Sequence, residues 1–203
     1  MPELPPRFDH RDPNQPAFWD ERFVQQFTPW DQGSVPIELQ EFVAHAVAPL
    51  STLIPGCGIG HEVRYFVDAG WPVVAIDFSP AAVRAAQHVL PVEASCVVEA
   101  DFFIFTPPEK IEFIYERAFL CSMPRIRWPE IVARWGQLLS EGGLLGGFFF
   151  FDTAVNGPPF GADRGELTAL MQPYFELIED RPAAQSIAVF ADREWWQVWR
   201  RRT

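Results

Sequence analysis

No apolar run in this chain approaches the roughly 18 residues that a membrane-spanning helix needs, so no membrane partner is expected. The longest, Leu144 to Phe151, carries two internal glycines and has the length of a buried strand. Cysteine is scarce. Cys57, Cys96 and Cys121 are odd in number and widely spaced, which excludes a disulfide framework. With no signal-peptide pattern they read as reduced thiols of a cytoplasmic protein. Basic charge is short as well: 16 Lys and Arg against 27 Asp and Glu give a net charge of -11 and a pI of about 4.8. Such a balance argues against nucleic acid or an anionic membrane as the main partner, while leaving small-molecule substrates open. His10, His45, His61 and His88 form no ligand cluster, and His61-Glu62 lacks the second histidine of a zinc helix, so no metal is expected. There are no internal repeats. What remains is 203 residues, 48% hydrophobic and 21% charged, enough for one globular domain with a full core.

The stretch around which the chain is organised is Ser51-Thr-Leu-Ile-Pro-Gly-Cys-Gly-Ile-Gly-His61. A short apolar run enters glycines at 56, 58 and 60, and a helical pattern with Val63, Phe66 and Val67 follows, stopping at Gly70. That is a buried strand turning into a helix through a loop whose backbone can approach a ligand closely. A second strand over 72–76 ends in Asp77. Further strands are expected at 96–98, 111–115, 144–151, 174–178 and 193–199. Helices are expected after Ser79-Pro80, through Ile131 to Leu139 with Gly142-Gly143 closing it, and after Asp163, where Glu166 completes capping-box spacing. The first five strands alternate with helices, which predicts a doubly wound parallel sheet. The last two have only a polar, proline-containing connection between them and are expected as an antiparallel hairpin. The fold class is therefore α/β, Rossmann-like, with seven strands, mostly parallel.

Upstream, residues 1–15 have no period and read as an irregular arm, with a single domain over 16–203. Trp19, Phe23 and Phe27 have helical spacing, and Ser34 with Pro36 opens a second helix with Leu39, Phe42, Val43, Ala46, Val47 and Leu50 on one stripe. From spacing alone, the first helix is either an aromatic cap packed on the domain or a lid over a ligand.

The glycines read G-x-G-x-G. A dinucleotide fingerprint would place its third glycine at 61, where this chain has His61, so an NAD-dependent oxidoreductase is disfavoured. Glycines at 56 and 58 also suit a purely structural tight turn. Asp77, at a strand's carboxyl end, can accept hydrogen bonds from ribose hydroxyls, or cap the next helix. Asp101-Phe102, at the third strand's exit, offers a carboxylate for an adenine amino group and a ring for its face, or a loop acid beside a core aromatic. Three strand ends side by side strengthen the ligand reading, because such sheets bind ligands there.

Phe18-Trp19 with Arg22-Phe23, Thr28-Pro29-Trp30-Asp31-Gln32-Gly33, Pro55-Gly56-Cys57-Gly58, Asp77-Phe78-Ser79, Asp101-Phe102, Tyr115-Glu116-Arg117-Ala118-Phe119, Gly157-Pro158-Pro159-Phe160 and Glu194-Trp195-Trp196 follow one another in the chain. In these pieces the sequence resembles the thiopurine S-methyltransferase superfamily of class I S-adenosylmethionine-dependent methyltransferases, close to its halide/thiol branch. The resemblance covers about residues 16–203 and favours the lid over 16–50. It implies that Trp19, Phe23 and Trp30 wall the cofactor and substrate pocket. It implies that Gly56 meets the methionine portion of S-adenosylmethionine, that Asp77 lies at the ribose, that Asp101 and Phe102 lie at the adenine, and that Gly58, Gly60 and Phe78 also belong to the cofactor site. Phe23 stands where relatives often have Trp, implying a slightly roomier pocket. Arg117 matches the arginine of thiopurine-type and bacterial relatives, near cofactor carboxylate and substrate, and is the expected catalytic residue. The plant halide enzymes carry a tyrosine near this point, which favours a thiol over a halide as acceptor. Phe160, with Trp19, Trp30 and Arg117, is expected at the acceptor.

The implied chemistry is methyl transfer to a small thiol or related selenium or tellurium nucleophile, leaving S-adenosylhomocysteine. A sulfonium methyl is already electrophilic, so orientation and exclusion of water can supply most of the acceleration. A soft nucleophile needs little base help. Arg117 can hold an anion or lower a thiol's pKa, or form a structural salt bridge with Glu116. A cofactor-binding module without turnover is the non-enzymatic alternative. A monomer or weak dimer is expected.

Overall fold

The computed structural model describes residues 6–153, 156–190 and 192–203; the expectation for residues 1–5 of the arm lies outside them. Seven strands form one sheet in the order β3-β2-β1-β4-β5-β7-β6, with β1 Thr52–Pro55, β2 Val73–Asp77, β3 Val97–Glu99, β4 Ile111–Arg117, β5 Leu139–Phe150, β6 Phe175–Pro182 and β7 Glu194–Arg201. The first five strands pair in parallel. β7 runs antiparallel between β5 and β6, as a terminal hairpin folded back onto the sheet.

The helices are α1 Pro16–Val24, α2 Ile37–His45, α3 His61–Asp68, α4 Pro80–Val89, the single turn α5 Phe119–Ser122, α6 Trp128–Leu138 and α7 Arg164–Met171. Strand alternation divides the apolar residues between the two sheet faces. Ile54, Phe113, Tyr115, Phe148 and Trp196 pack with Val63 and Phe66 of α3, Val83 and Ala86 of α4, and Leu39 and Val43 of α2. Leu53, Ile114, Leu145, Phe149 and Trp199 pack with Ile131, Val132 and Trp135 of α6 and Leu167 and Met171 of α7. Trp196 and Trp199, three apart on β7, therefore fill opposite cores and are both fully buried.

Three expectations change. Gly142-Gly143 does not close the helix before it: α6 ends at Leu138, and both glycines lie inside β5. The register there slips from Ile111↔Leu139 to Phe113↔Leu144, and Gly142, at φ +73°, takes the left-handed conformation of the bulge. Ser34 caps nothing at α2, which starts at Ile37 with Pro36 in the cap position. Val47 leaves the predicted stripe and is fully exposed, because α2 ends at His45. The capping aspartate of α7 is as expected: Asp163 accepts from the backbone N–H groups of Gly165 and Glu166. Its partner in the box, Glu166, pairs with Arg125 instead of turning back.

Strand order reverses at β1, whose neighbours are β2 and β4. The carboxyl ends of these strands carry Pro55, Asp77 and Arg117, so the switch point of the sheet brings the glycine loop, the buried aspartate and the arginine together.

Candidate active site

Above that switch point lies a cavity of about 480 Å³, within the ordinary range for small-molecule sites. Its wall includes Trp19, Phe23, Trp30, Gly56, Gly58, Gly60, Asp77, Phe78, Asp101, Phe102 and Arg117. Phe160 is not among the lining residues. Its backbone N–H donates to the Cys121 carbonyl, and its ring packs against the core behind that residue, while Gly157, Pro158 and Pro159 of the same block line the cavity. Asp152, two residues beyond β5, is also absent from the lining and forms an ion pair with Arg193.

The floor is the glycine loop. Gly56 sits at φ +60°, and a Cβ there would lie 2.7 Å from Cδ2 of Phe119. Glycine is required on both counts, conformation and space. Phe119 in turn meets Phe102 edge to face, ring centroids 4.9 Å apart, so the loop and the wall beyond β3 share one aromatic contact. The Gly58 N–H donates to Asp77 Oδ2 at 3.1 Å, and Asp77 Oδ1 accepts from the Ser79 N–H at 2.9 Å. Asp77 is thus pinned between the loop and the start of α4. Burial raises its pKa to about 6, the two N–H donors opposing and the nearby charge of Asp20 assisting. Asp101 is exposed and its carboxylate accepts from the Phe103 N–H.

The roof is α1 and the segment after it. Trp30 meets Trp19 at 5.5 Å and Phe23 at 6.2 Å between ring centroids, both edge to face. Trp19 Nε1 donates to the Pro13 carbonyl, tying the roof to the arm. Trp30 also packs on a small cluster of Cys121, Phe150, Ile187 and Phe190, so the roof closes against the chain before β7. The helix is anchored at a second point. Asp20 Oδ1 accepts from the Ser79 hydroxyl at 2.6 Å and from the Ala81 N–H at 2.9 Å, tying α1 to the first turn of α4.

Arg117 ends β4. Its Nη2 donates to Gln32 Oε1 of the roof at 3.1 Å, and its guanidinium lies 4.3 Å from the centre of the Phe148 ring. Nη1 is buried and makes no hydrogen bond among the described residues. Burial works against its charge, but neighbouring Tyr115, Glu62 and Glu194 outweigh it and raise the pKa further. The Tyr115 hydroxyl donates to Glu62 Oε1 at 3.4 Å. Burial raises the pKa of Glu62 from its ordinary value, with the Arg117 charge opposing. Glu116 makes no salt bridge with Arg117: it faces the other way, accepts from the Leu120 N–H, and burial raises its pKa to about 8. Burial also pushes the thiols of Cys57 and Cys121 well above the ordinary value, so both are small, inert wall residues.

Sequence reasoning overlooked Asp20, Asp31, Gln32 and Glu62 as wall or anchoring groups. Asp31 and Gln32 lie in the quoted Thr28–Gly33 block and were visible as part of it. Asp20 lies 59 residues from its partner, and nothing in its spacing names that partner. Among the described residues no group of acids, histidines and cysteines could hold a metal, and no helix is long and apolar enough to cross a membrane.

A family profile described as Thiopurine S-methyltransferase (TPMT) matches residues 14–202. A probable thiol methyltransferase 2 of Arabidopsis thaliana is 30% identical over 173 residues, 81% of this chain and 76% of the relative. Thiocyanate methyltransferase 1 of the same plant is 27% identical over 165 residues, 76% and 71% of the two chains. Among solved structures, magnesium protoporphyrin IX methyltransferase from Synechocystis PCC 6803 with bound SAM superposes with a TM-score of 0.70 over 97% of this chain and 100% of its own, at 14% identity, a likeness of fold alone.

Proposed function

The chain belongs to the thiopurine S-methyltransferase family and is an S-adenosylmethionine-dependent methyltransferase, and from its site we propose that it methylates a small thiol or related chalcogen nucleophile held by Arg117. The observation that carries this reading is the buried, unpartnered Nη1 of Arg117 in the cavity wall. A buried donor without a partner is costly unless a ligand satisfies it, and a guanidinium is satisfied best by an anion. Thiolates and their selenium and tellurium analogues are such anions.

The residues present fit the methyl donor. A glycine cradle that admits no side chain at 56, a buried carboxylate at the β2 exit and an aromatic wall beyond β3 are what a nucleoside with an amino-acid tail requires. Asp77 would accept from the ribose hydroxyls, Phe102 would face the adenine with Asp101 at its edge, and the backbone of 56–60 would meet the methionine portion, with Phe78 beside the ribose. When bound, S-adenosylmethionine supplies an electrophilic sulfonium methyl.

The chain's own work is orientation. Arg117 holds the nucleophile, and its permanent charge lowers the pKa of a thiol beside it. Trp19, Phe23 and Trp30 shut out water and present ring faces that favour a cation. Glu62 and the Tyr115 hydroxyl stand in reach of Arg117 but are not needed as a base, since a thiolate is accessible near neutral pH. The family excludes the oxidoreductase alternative.

The test is a screen of methyl acceptors: hydrosulfide, aromatic thiols, thiopurines, thiocyanate, iodide, selenite and tellurite, scored by S-adenosylhomocysteine formed. Turnover with thiols and chalcogen anions, above iodide, is expected. Binding of S-adenosylhomocysteine with no acceptor turned over would leave a cofactor-binding module and refute the reading.

A further inference from the structure

Two adjacent residues of the roof bond to the walls of the cavity below. Gln32 bonds Arg117, and Asp31, one residue earlier, bonds His61 Nε2 at 3.0 Å. His61 is the first residue of α3, directly after the glycine loop, and Asp31 and His61 both line the cavity. The bond spans 30 residues of chain and joins the roof to the floor. Asp31 is further fixed by accepting from the Gly33 N–H at 2.8 Å, which sets the turn that presents Gln32.

We infer that His61 is a positioning residue, which through Asp31 fixes the roof segment 28–33 so that Gln32 holds Arg117 in place for the acceptor. The inference rests on the role of Arg117 proposed above.

The pair is titratable. The hydrogen bond to Asp31 raises the pKa of His61 above its ordinary value, and the same bond lowers that of Asp31. The groups facing His61 are Asp31 on the roof and Glu62 on its own helix; Arg117 on β4 acts on Asp31 and Glu62, and Tyr115 bonds Glu62. The ion pair is complete between the lowered pKa of Asp31 and the raised pKa of His61. As pH rises through the latter, a neutral imidazole keeps at most an uncharged hydrogen bond, and the roof loosens.

The experiment uses saturating S-adenosylmethionine and an electron-poor aromatic thiol that is a thiolate throughout, so that neither Asp77 nor acceptor ionisation contributes. Its kcat/KM in the wild type should fall roughly two- to fivefold as pH rises from about 6 to about 9, the worth of one half-buried ion pair. His61→Gln, which keeps a neutral donor, should give a flat profile near the wild type's alkaline value, and His61→Ala a lower flat one. Asp31→Asn should also flatten the profile and lower the imidazole pKa of His61 read by NMR, a readout independent of turnover. Hydrogen exchange in segment 28–33 should be faster in His61→Ala than in the wild type at pH about 6.5. Parallel pH profiles in all these proteins, or an unmoved His61 pKa in Asp31→Asn, would overturn the inference. Arg117→Ala run beside them separates the two claims. Unimpaired turnover there removes the role of Arg117 whatever His61 does, whereas impaired turnover with parallel His61 profiles removes only the positioning role.

Discussion

The carboxylate of Asp20 accepts a hydrogen bond from the Ser79 hydroxyl at 2.6 Å, joining the roof helix directly to the start of α4. The backbone N–H of that same serine donates to Asp77. Roof and cofactor floor are therefore one hydrogen-bonded unit, Asp20 to Ser79 to Asp77 to Gly58, and the aromatic lid is not an independent appendage.

Asp20→Ala removes the acceptor for both Ser79 Oγ and the Ala81 N–H. The loss should cost about 1 kcal/mol of stability, the usual worth of a helix cap, and weaken S-adenosylhomocysteine binding although Asp20 is not among the cavity-lining residues. Asp20→Asn retains an acceptor oxygen and should recover most of the affinity. Chemical denaturation and calorimetry on the three proteins check this.

Asp77 should give cofactor binding a pH dependence. Its folded-state pKa is raised to about 6, so the stability it contributes is complete below its unfolded pKa and is lost as pH rises through about 6. On the role proposed for Asp77, binding works in the opposite sense, because the ribose hydroxyls would be held by the carboxylate. Affinity for S-adenosylhomocysteine should fall below pH about 6, with proton release on binding near that pH. Asp77→Ala should weaken binding at least roughly 100-fold at pH 7, the cost of two hydrogen bonds to a charged acceptor. Calorimetry in buffers of different ionisation enthalpy reads both effects.

Gly56→Ala puts a methyl against the Phe119 ring in a backbone conformation that costs a non-glycine residue about 1–2 kcal/mol. Phe119 leans on Phe102, so the displaced ring should disturb the wall beyond β3, where the adenine is proposed to lie, as well as the loop. Affinity for S-adenosylhomocysteine should fall more than thermal stability does. Equal losses would show that the loop is only a structural turn.

Glu116 supplies a contrasting titration. Its pKa is raised to about 8 by burial, so its contribution to stability is lost as pH rises through about 8. Glu116→Gln, isosteric and uncharged, should flatten the decline in Tm between pH about 7 and about 9. An unchanged decline would assign it to another group.

Much of this architecture could be read from spacing. Alternation of short apolar runs with helical stripes located all seven strands to within a few residues, and the glycine loop with Asp77 located the switch point. What failed has physical causes. Glycines after a helical pattern look like a C-cap, and only the register of β4 against β5 shows that Gly142 makes a bulge. Gly157-Pro158-Pro159-Phe160 reads as one block, but the chain turns there, leaving the prolines in the wall and Phe160 behind it. Single polar residues on an aromatic helix, such as Asp20, carry no periodic signal, since their partners are set by tertiary approach.

The claim that Arg117 holds an anionic sulfur nucleophile is tested most directly by comparing Arg117→Ala with the wild type in two measurements on one sample, S-adenosylhomocysteine affinity and thiol methylation. Affinity, to which Arg117 contributes at most through the cofactor carboxylate, should fall less than kcat/KM for an aromatic thiol, which falls at least about 100-fold, the loss of an orienting charge-assisted contact at the reacting atom. Undiminished methylation of every thiol by Arg117→Ala would contradict it.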